Sequence, residues 1–112
     1  MLNSENRLKK RKSFNYIYRK GKHHSDDMLT LVFVSARVKS VKLGFSVSKK
    51  VGNSVVRHRV TRIMRAGARP LVERIAQNNT IVFVAKEGID KFKSQDITER
   101  MEKLLKKAGL LL

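Results

Sequence analysis

The chain has 112 residues, with 26 Lys and Arg against 9 Asp and Glu, for a formal net charge of +17. This length allows one hydrophobic core, so we expect a single domain over residues 1–112 and exclude a separate catalytic module. The excess positive charge repels itself within a compact fold, which favours a polyanionic partner. Nucleic acid is the most common partner of that kind.

The sequence has no cysteine, which removes disulfide and thiolate chemistry and is usual in a reducing compartment. Residues 1–13 are polar and basic, and the apolar runs are too short to cross a bilayer. We therefore expect a cytoplasmic protein without membrane contact. A mitochondrial targeting segment is the alternative, but the basic residues 9–12 form one block instead of being spread along a helix.

In the first half of the chain, residues 1–12 lack periodicity and predict a mobile basic arm. A helix capped by Ser13 and stopped by Gly21 follows, with one apolar face formed by Phe14, Ile17 and Tyr18. Residues 28–36 and 42–48 have the composition and alternation of strands. Their short connection predicts a hairpin.

In the second half, Gly52 and Asn53 predict a turn and an N-cap for the longest helix, over at least residues 54–66. Pro70 predicts a kink or restart in this helical pattern, which ends at residues 78–79. Residues 80–85 predict a buried strand. A last helix is predicted by the capping-box spacing of Asp96 and Glu99. Its apolar stripe is formed by Ile97, Met101, Leu104, Leu105 and Ala108.

The predicted order is therefore α-β-β-α-β-α. It favours an α/β (α+β) two-layer sandwich, in which helices pack on a small mixed β-sheet.

The charge is concentrated in one part of the sequence. Residues 1–72 hold 18 basic and 3 acidic side chains, whereas residues 73–112 hold 8 and 6. Ten Lys and Arg lie between Met28 and Val72 without any acidic residue among them. Since nothing nearby in the sequence neutralises these cations, a bound polyanion is expected to do so.

On a helical wheel, residues 54–71 separate into two faces. The apolar face holds Val56, Val60, Ile63, Met64, Gly67 and Leu71. The opposite face holds His58, Arg62, Arg65 and Arg69, and Arg57 and Arg59 flank the boundary between the faces. Lys49 and Lys50 precede the helix N-terminus, where free N–H groups favour phosphate. The predicted RNA-binding residues are Lys49, Lys50, Asn53, Arg57, His58, Arg59, Arg62, Arg65 and Arg69.

A solvated basic surface is the simpler interpretation of this helix. Such surfaces normally carry acidic residues one turn away from the basic ones, and residues 54–71 contain none. Membrane binding would require a free apolar face, which the core uses instead.

DNA remains possible on charge alone, but the aromatic residues favour RNA, whose unpaired bases stack on aromatic rings. We expect Phe33, Phe45 and Phe83 in the core, whereas Phe14 and Tyr18 can be exposed.

Acidic and histidine residues give no pattern of a protein active site. Asp96, Glu99 and Glu102 alternate with lysines on the last helix, which favours solvated ion pairs over metal chemistry. His23, His24, Asp26 and Asp27 are expected in a surface loop and not at a metal site. An independent nuclease is therefore disfavoured, although a structural RNA-binding protein such as a ribosomal component remains possible.

Residues 42–65, KLGFSVSKKVGNSVVRHRVTRIMR, resemble the protein subunit of bacterial ribonuclease P. That family has Ser-Val-Ser-Lys-Lys at the end of a strand, then Gly-Asn-Ala-Val, then Arg-Asn-Arg, a Lys-Arg pair and a further Arg on a helix. The N-terminal Arg7-Leu8-Lys9-Lys10, with Phe14, Tyr18 and Gly21, is also similar to the family. This sequence departs at Ser54, His58 and Thr61, where the family has Ala, Asn and Lys, and its first-strand aromatic is replaced by Val32.

The resemblance implies a ribonucleoprotein endoribonuclease, in which a catalytic RNA subunit uses Mg²⁺ to remove the 5′ leader of precursor tRNA. The polypeptide would have no catalytic residue and no metal site of its own, and no protein partner is evident. Arg57, Arg59, Arg62 and Arg65 would face the RNA subunit. A cleft would hold the single-stranded leader, lined by Lys10, Arg11, Phe14 and Tyr18. The resemblance also implies a left-handed β-α-β crossover.

Overall fold

A computed structural model describes residues 11–35 and 41–112, with side chains from residue 15 onward. The described helices are α1 (Arg11–Lys20), α2 (Ser54–Ala68) and α3 (Ser94–Lys107), with short 3₁₀ segments at Arg69–Arg74 and Ile89–Lys91. The described strands are β1 (Lys22–Ser25), β2 (Leu29–Ser35), β3 (Val41–Val47) and β4 (Asn79–Ala85).

The four strands form one mixed sheet in the order β1-β2-β4-β3. β1 and β2 form an antiparallel hairpin, and β2 also pairs with β4 in antiparallel fashion. β3 and β4 are parallel, and α2 connects them along the chain. The predicted mixed α+β architecture is confirmed, and so is the presence of a β-α-β crossover.

The predicted hairpin between β2 and β3 is wrong, because β4 lies between these two strands. β4 buries side chains on both faces, since Val82 and Phe83 are both fully buried. A strand that is apolar on both faces is most stable with a neighbour at each edge. The sequence also missed β1, whose residues include His23 and His24, so these two histidines lie in a strand and not in a loop.

The two faces of the sheet have different cover, because successive side chains of a strand point to opposite faces. Leu31, Phe83 and Leu43 belong to the main core with α2 and α3. Val32 and Val82 point the other way and form a smaller cluster with Ile17 of α1. The sheet therefore separates α1 from α2.

Helix α2 buries one face against α3 and the sheet, as predicted. Val60 and Met64 are buried, and Gly67 permits close approach because a Cβ there would lie 3.0 Å from the Ser94 carbonyl oxygen. The Thr98 hydroxyl of α3 donates to the Gly67 carbonyl at 2.7 Å. These contacts fix how α2 is rotated about its axis.

Several element boundaries differ from the predictions. α1 begins at Arg11, so Arg11 and Lys12 belong to the helix and not to an arm. The restart at Pro70 is confirmed, since α2 gives way to the 3₁₀ segment, but Asn79 opens β4 and does not end the helical pattern. α3 starts before Asp96, whose carboxylate accepts the Lys93 backbone N–H at 3.2 Å from the third helical position.

The turn between β1 and β2 is attached to α3. The Asp26 carboxylate accepts the backbone N–H groups of Met28 and Leu29 at 2.7 and 2.8 Å. Arg100 of α3 pairs with Asp26 and with Asp27, and its hydrogen bond lowers the pKa of Asp27. The Arg100 guanidinium also lies 4.9 Å from the centre of the Phe92 ring. The two aspartates therefore have a structural role, because they attach the β1–β2 turn to α3.

Met64 lies on the buried face of α2 and is fully buried. The free energy of unfolding should therefore depend on the size of the side chain at this position. Met64→Ala leaves a cavity and should lower the free energy of unfolding by about 2–5 kcal/mol. Met64→Leu keeps the volume and should cost less than about 1.5 kcal/mol. Urea unfolding of both variants measures the difference, and equal, negligible losses would show that this face is not packed.

Candidate nucleic-acid interface

The solvent-facing stripe of α2 is cationic. His58, Arg59, Arg62 and Arg69 are all exposed, and Lys49 and Lys50 are exposed in the turn before the helix. Asn53 caps the helix, because its side-chain oxygen accepts the Val56 backbone N–H at 3.0 Å. The side chain of Asn53, predicted to bind RNA, thus has a capping role that fixes where the cationic face begins.

Two of the predicted arginines lie away from this stripe. Arg57 and Arg65 are half-buried, on the flank of α2 that also carries Thr61. The helical wheel put Arg65 fully on the outer face, because a wheel of α2 alone omits its neighbours. The Thr61 hydroxyl donates to the Arg57 carbonyl at 2.9 Å, so it is engaged within the helix.

Ion pairs between the described residues lie elsewhere. Glu102 pairs with Lys106 at 3.1 Å and with Arg74 at 3.7 Å, and its pKa is lowered mainly by the Lys106 hydrogen bond. Arg100 forms ion pairs with the two aspartates of the β1–β2 turn. None of the pairs formed within residues 15–35 and 41–112 includes Arg57, Arg59 or Arg62. Those three cations are therefore not neutralised by the described carboxylates.

A pocket of about 300 Å³ opens between β3 and the first half of α2. Its lining residues are Phe45, Val47, Ser54, Arg57, His58 and Thr61. The Arg57 Nε atom is buried, and no hydrogen-bond partner for it lies within the part of the chain that the structure describes. The pocket thus joins an apolar wall to polar groups of the basic helix.

On the other side of the sheet lies α1, which includes three of the four predicted leader-binding residues. Tyr18 is half-buried and packs on the small cluster with Val34 and Val84. Arg11 and Phe14 lie in α1, with side chains outside the described part, and Lys10 lies outside the described residues altogether. Tyr16, which the sequence prediction omitted, is 49% exposed and can offer a ring to a ligand. Its position off the apolar stripe of α1 was the available signal.

The histidines and carboxylates do not converge. Within the described residues, no group of three or more His, Cys, Asp or Glu side chains could hold a metal ion. The ring of His24 stacks on Phe33 with centroids 6.0 Å apart, and a His23 ring nitrogen lies 3.3 Å from the Tyr18 carbonyl oxygen. None of the helices described is long and apolar enough to cross a membrane.

The chain is similar to known proteins over nearly its whole length. A family model described as Ribonuclease P matches residues 2–109. The ribonuclease P protein component of Clostridium botulinum strain Langeland is 39% identical over 107 residues, covering 95% of this chain and 96% of the relative. That of Alkaliphilus metalliredigens is 34% identical over 110 residues, covering 98% and 99%.

The fold also matches a solved structure. The RNase P protein of Staphylococcus aureus superposes with a TM-score of 0.84 at 27% identity, over 96% of this chain and 98% of that one. With the family model matching nearly the whole sequence, and relatives above 30% identity over nearly full length, the chain belongs to the ribonuclease P protein family.

Proposed function

We propose that α2 binds the catalytic RNA subunit of ribonuclease P through its exposed cationic stripe. Membership of the family makes the chain a protein component of a ribonucleoprotein that processes tRNA, with an RNA subunit as its partner. The observation that carries the proposal is that Arg59 and Arg62 are exposed without a carboxylate partner in the described structure. Arginine suits this role because its planar fork grips phosphate oxygens with two hydrogen bonds.

The single-stranded 5′ leader of precursor tRNA binds, in this proposal, on the side of the sheet that carries α1. Two observations support it: Tyr16 is exposed, and Tyr18 packs at the edge of the small cluster that contains Val32 and Val82. Aromatic rings bind single strands by stacking on bases, which requires little sequence preference.

Cleavage belongs to the RNA subunit in this proposal, and Mg²⁺ acts there. A protein active site for metal-assisted phosphoryl chemistry needs converging carboxylates. Two of the three carboxylates of α3 have other partners: Asp96 accepts a helix-cap N–H, and Glu102 pairs with Lys106 and Arg74. In this proposal the chain supplies positive charge and positions the bound RNA.

Reconstitution tests the proposed function directly. Precursor tRNA is incubated at low Mg²⁺ with the protein alone, with the RNA subunit alone and with both. We expect mature 5′ ends to form fastest with both and not at all with the protein alone. Cleavage by the protein alone would establish a protein nuclease, and stable association with ribosomal particles instead would indicate a structural RNA-binding protein.

The salt dependence of binding tests the α2 surface. Each phosphate contact adds about 0.7 to the magnitude of the slope of log K against log salt concentration. Removing two contacts in Arg59→Ala/Arg62→Ala should therefore flatten the slope for the RNA subunit by about 1.4. The matched control is Arg74→Ala, which removes an exposed cation paired with Glu102. Equal slopes for the double variant and the unmodified protein would show that another surface binds.

The aromatic ring of Tyr18 gives a second test. Tyr18→Ala should weaken binding of a leader-bearing precursor tRNA by about 1–3 kcal/mol if the ring stacks on a base. Tyr18→Phe keeps the ring and should bind normally. Affinities are measured in the reconstituted complex with and without the leader, and thermal unfolding is followed in parallel. A loss of stability with unchanged leader affinity would make Tyr18 a packing residue only.

A further inference from the structure

We propose that the pocket between β3 and the first half of α2 binds one unpaired nucleobase of the catalytic RNA subunit. This inference rests on the proposed function, because it adds a base-binding position to the phosphate-binding stripe. The pocket volume, about 300 Å³, lies at the lower end of the range for small-molecule sites. A single base is an occupant of suitable size, and it leaves room for bridging water.

The residue at position 61 leaves this pocket open. Thr61 has a short side chain that lines the pocket. Its hydroxyl donates to the Arg57 carbonyl at 2.9 Å, so it is committed to the helix. A longer, charged side chain at the same point would project into the pocket. Thr61 thus leaves space for a ligand.

The lining suits a flat, partly polar ring. Phe45 and Val47 provide an apolar wall, and the Phe45 ring is held against Phe83 with centroids 6.4 Å apart. Ser54, Arg57 and His58 supply hydrogen-bonding groups of the kind that read the edges of unpaired bases. The Phe45 ring offers an apolar contact that a base can use and a phosphate cannot.

The guanidinium of Arg57 indicates an occupant with hydrogen-bond acceptors. Its Nε atom is buried and has no hydrogen-bond partner among the described residues, and a buried donor without an acceptor destabilises a protein. Base edges present carbonyl and ring-nitrogen acceptors, so a base can satisfy the guanidinium of this residue. The exposed neighbours Arg59 and Arg62 can hold the adjoining phosphates.

The RNA subunit, and not the leader, is the source of the base. Phe45 pairs in register with Phe83, which belongs to the main core on the α2 side of the sheet. Tyr18 lies with Val82 on the opposite side. A leader bound at α1 would therefore be separated from the pocket by the sheet, whereas RNA bound along α2 passes its opening.

Binding of AMP is compared with binding of ribose 5-phosphate, which has the sugar and phosphate but no base. Amide NMR titration of the whole protein reports affinity and location together. We expect AMP to bind at least about five-fold more tightly, which is the lower limit for a stacked base. The AMP-specific shifts should lie at residues 45–47 and 54–61. Equal affinities, or AMP-specific shifts elsewhere, would overturn the inference.

Two variants at position 61 give the matched comparison. Thr61→Lys places a long, charged side chain in the pocket and should abolish the preference for AMP. It should also steepen the salt dependence of binding to the RNA subunit by about 0.7, the contribution of one phosphate contact. Thr61→Val keeps the size of the side chain and should retain the preference for AMP.

The same variants separate this inference from the proposed function. If the RNA subunit binds with the expected salt dependence but Thr61→Lys leaves the AMP preference unchanged, the base pocket is wrong and the α2 surface stands. If Thr61→Lys alters only the leader-dependent affinity for precursor tRNA, the base comes from the substrate and the assignment to the RNA subunit fails.

Discussion

The packing of α2 against α3 and the sheet is the contact on which the remaining structure depends. Gly67 lets the two helices approach, and the hydrogen bond from Thr98 to its carbonyl fixes the rotation of α2. With Met64 buried, Arg59 and Arg62 face solvent on the opposite side of the same helix. The buried face of α2 therefore determines which way its arginines point. Part of the net charge of +17 is in this way gathered on one exposed surface.

The helices and most strands were predictable because their signals are local. The turn residues before α2, the restart at Pro70 and the alternation in β3 each depend on a few neighbouring residues. Strand pairing was not predictable in this way. β4 enters between β2 and β3 after more than thirty residues of intervening chain, so proximity in sequence wrongly favoured a β2–β3 hairpin.

The same distinction applies to the site. A helical wheel was sufficient to predict the exposed cations, because exposure on α2 follows from the position of its buried face. The half-burial of Arg57 agrees with its place at the boundary of the two faces on the wheel, whereas that of Arg65 was not predicted. The pocket is non-local in the same sense, because Phe45 and Thr61 come from elements that meet only in the fold.

The central claim is that the exposed face of α2 is covered when the RNA subunit binds. Arginine modification by phenylglyoxal, read residue by residue by mass spectrometry with and without the RNA subunit, tests it most directly. Arg59 and Arg62 should become protected in the complex, while Arg74, on the 3₁₀ segment and paired with Glu102, should react at an unchanged rate. Protection of Arg74 with continued reaction of Arg59 and Arg62 would contradict the account.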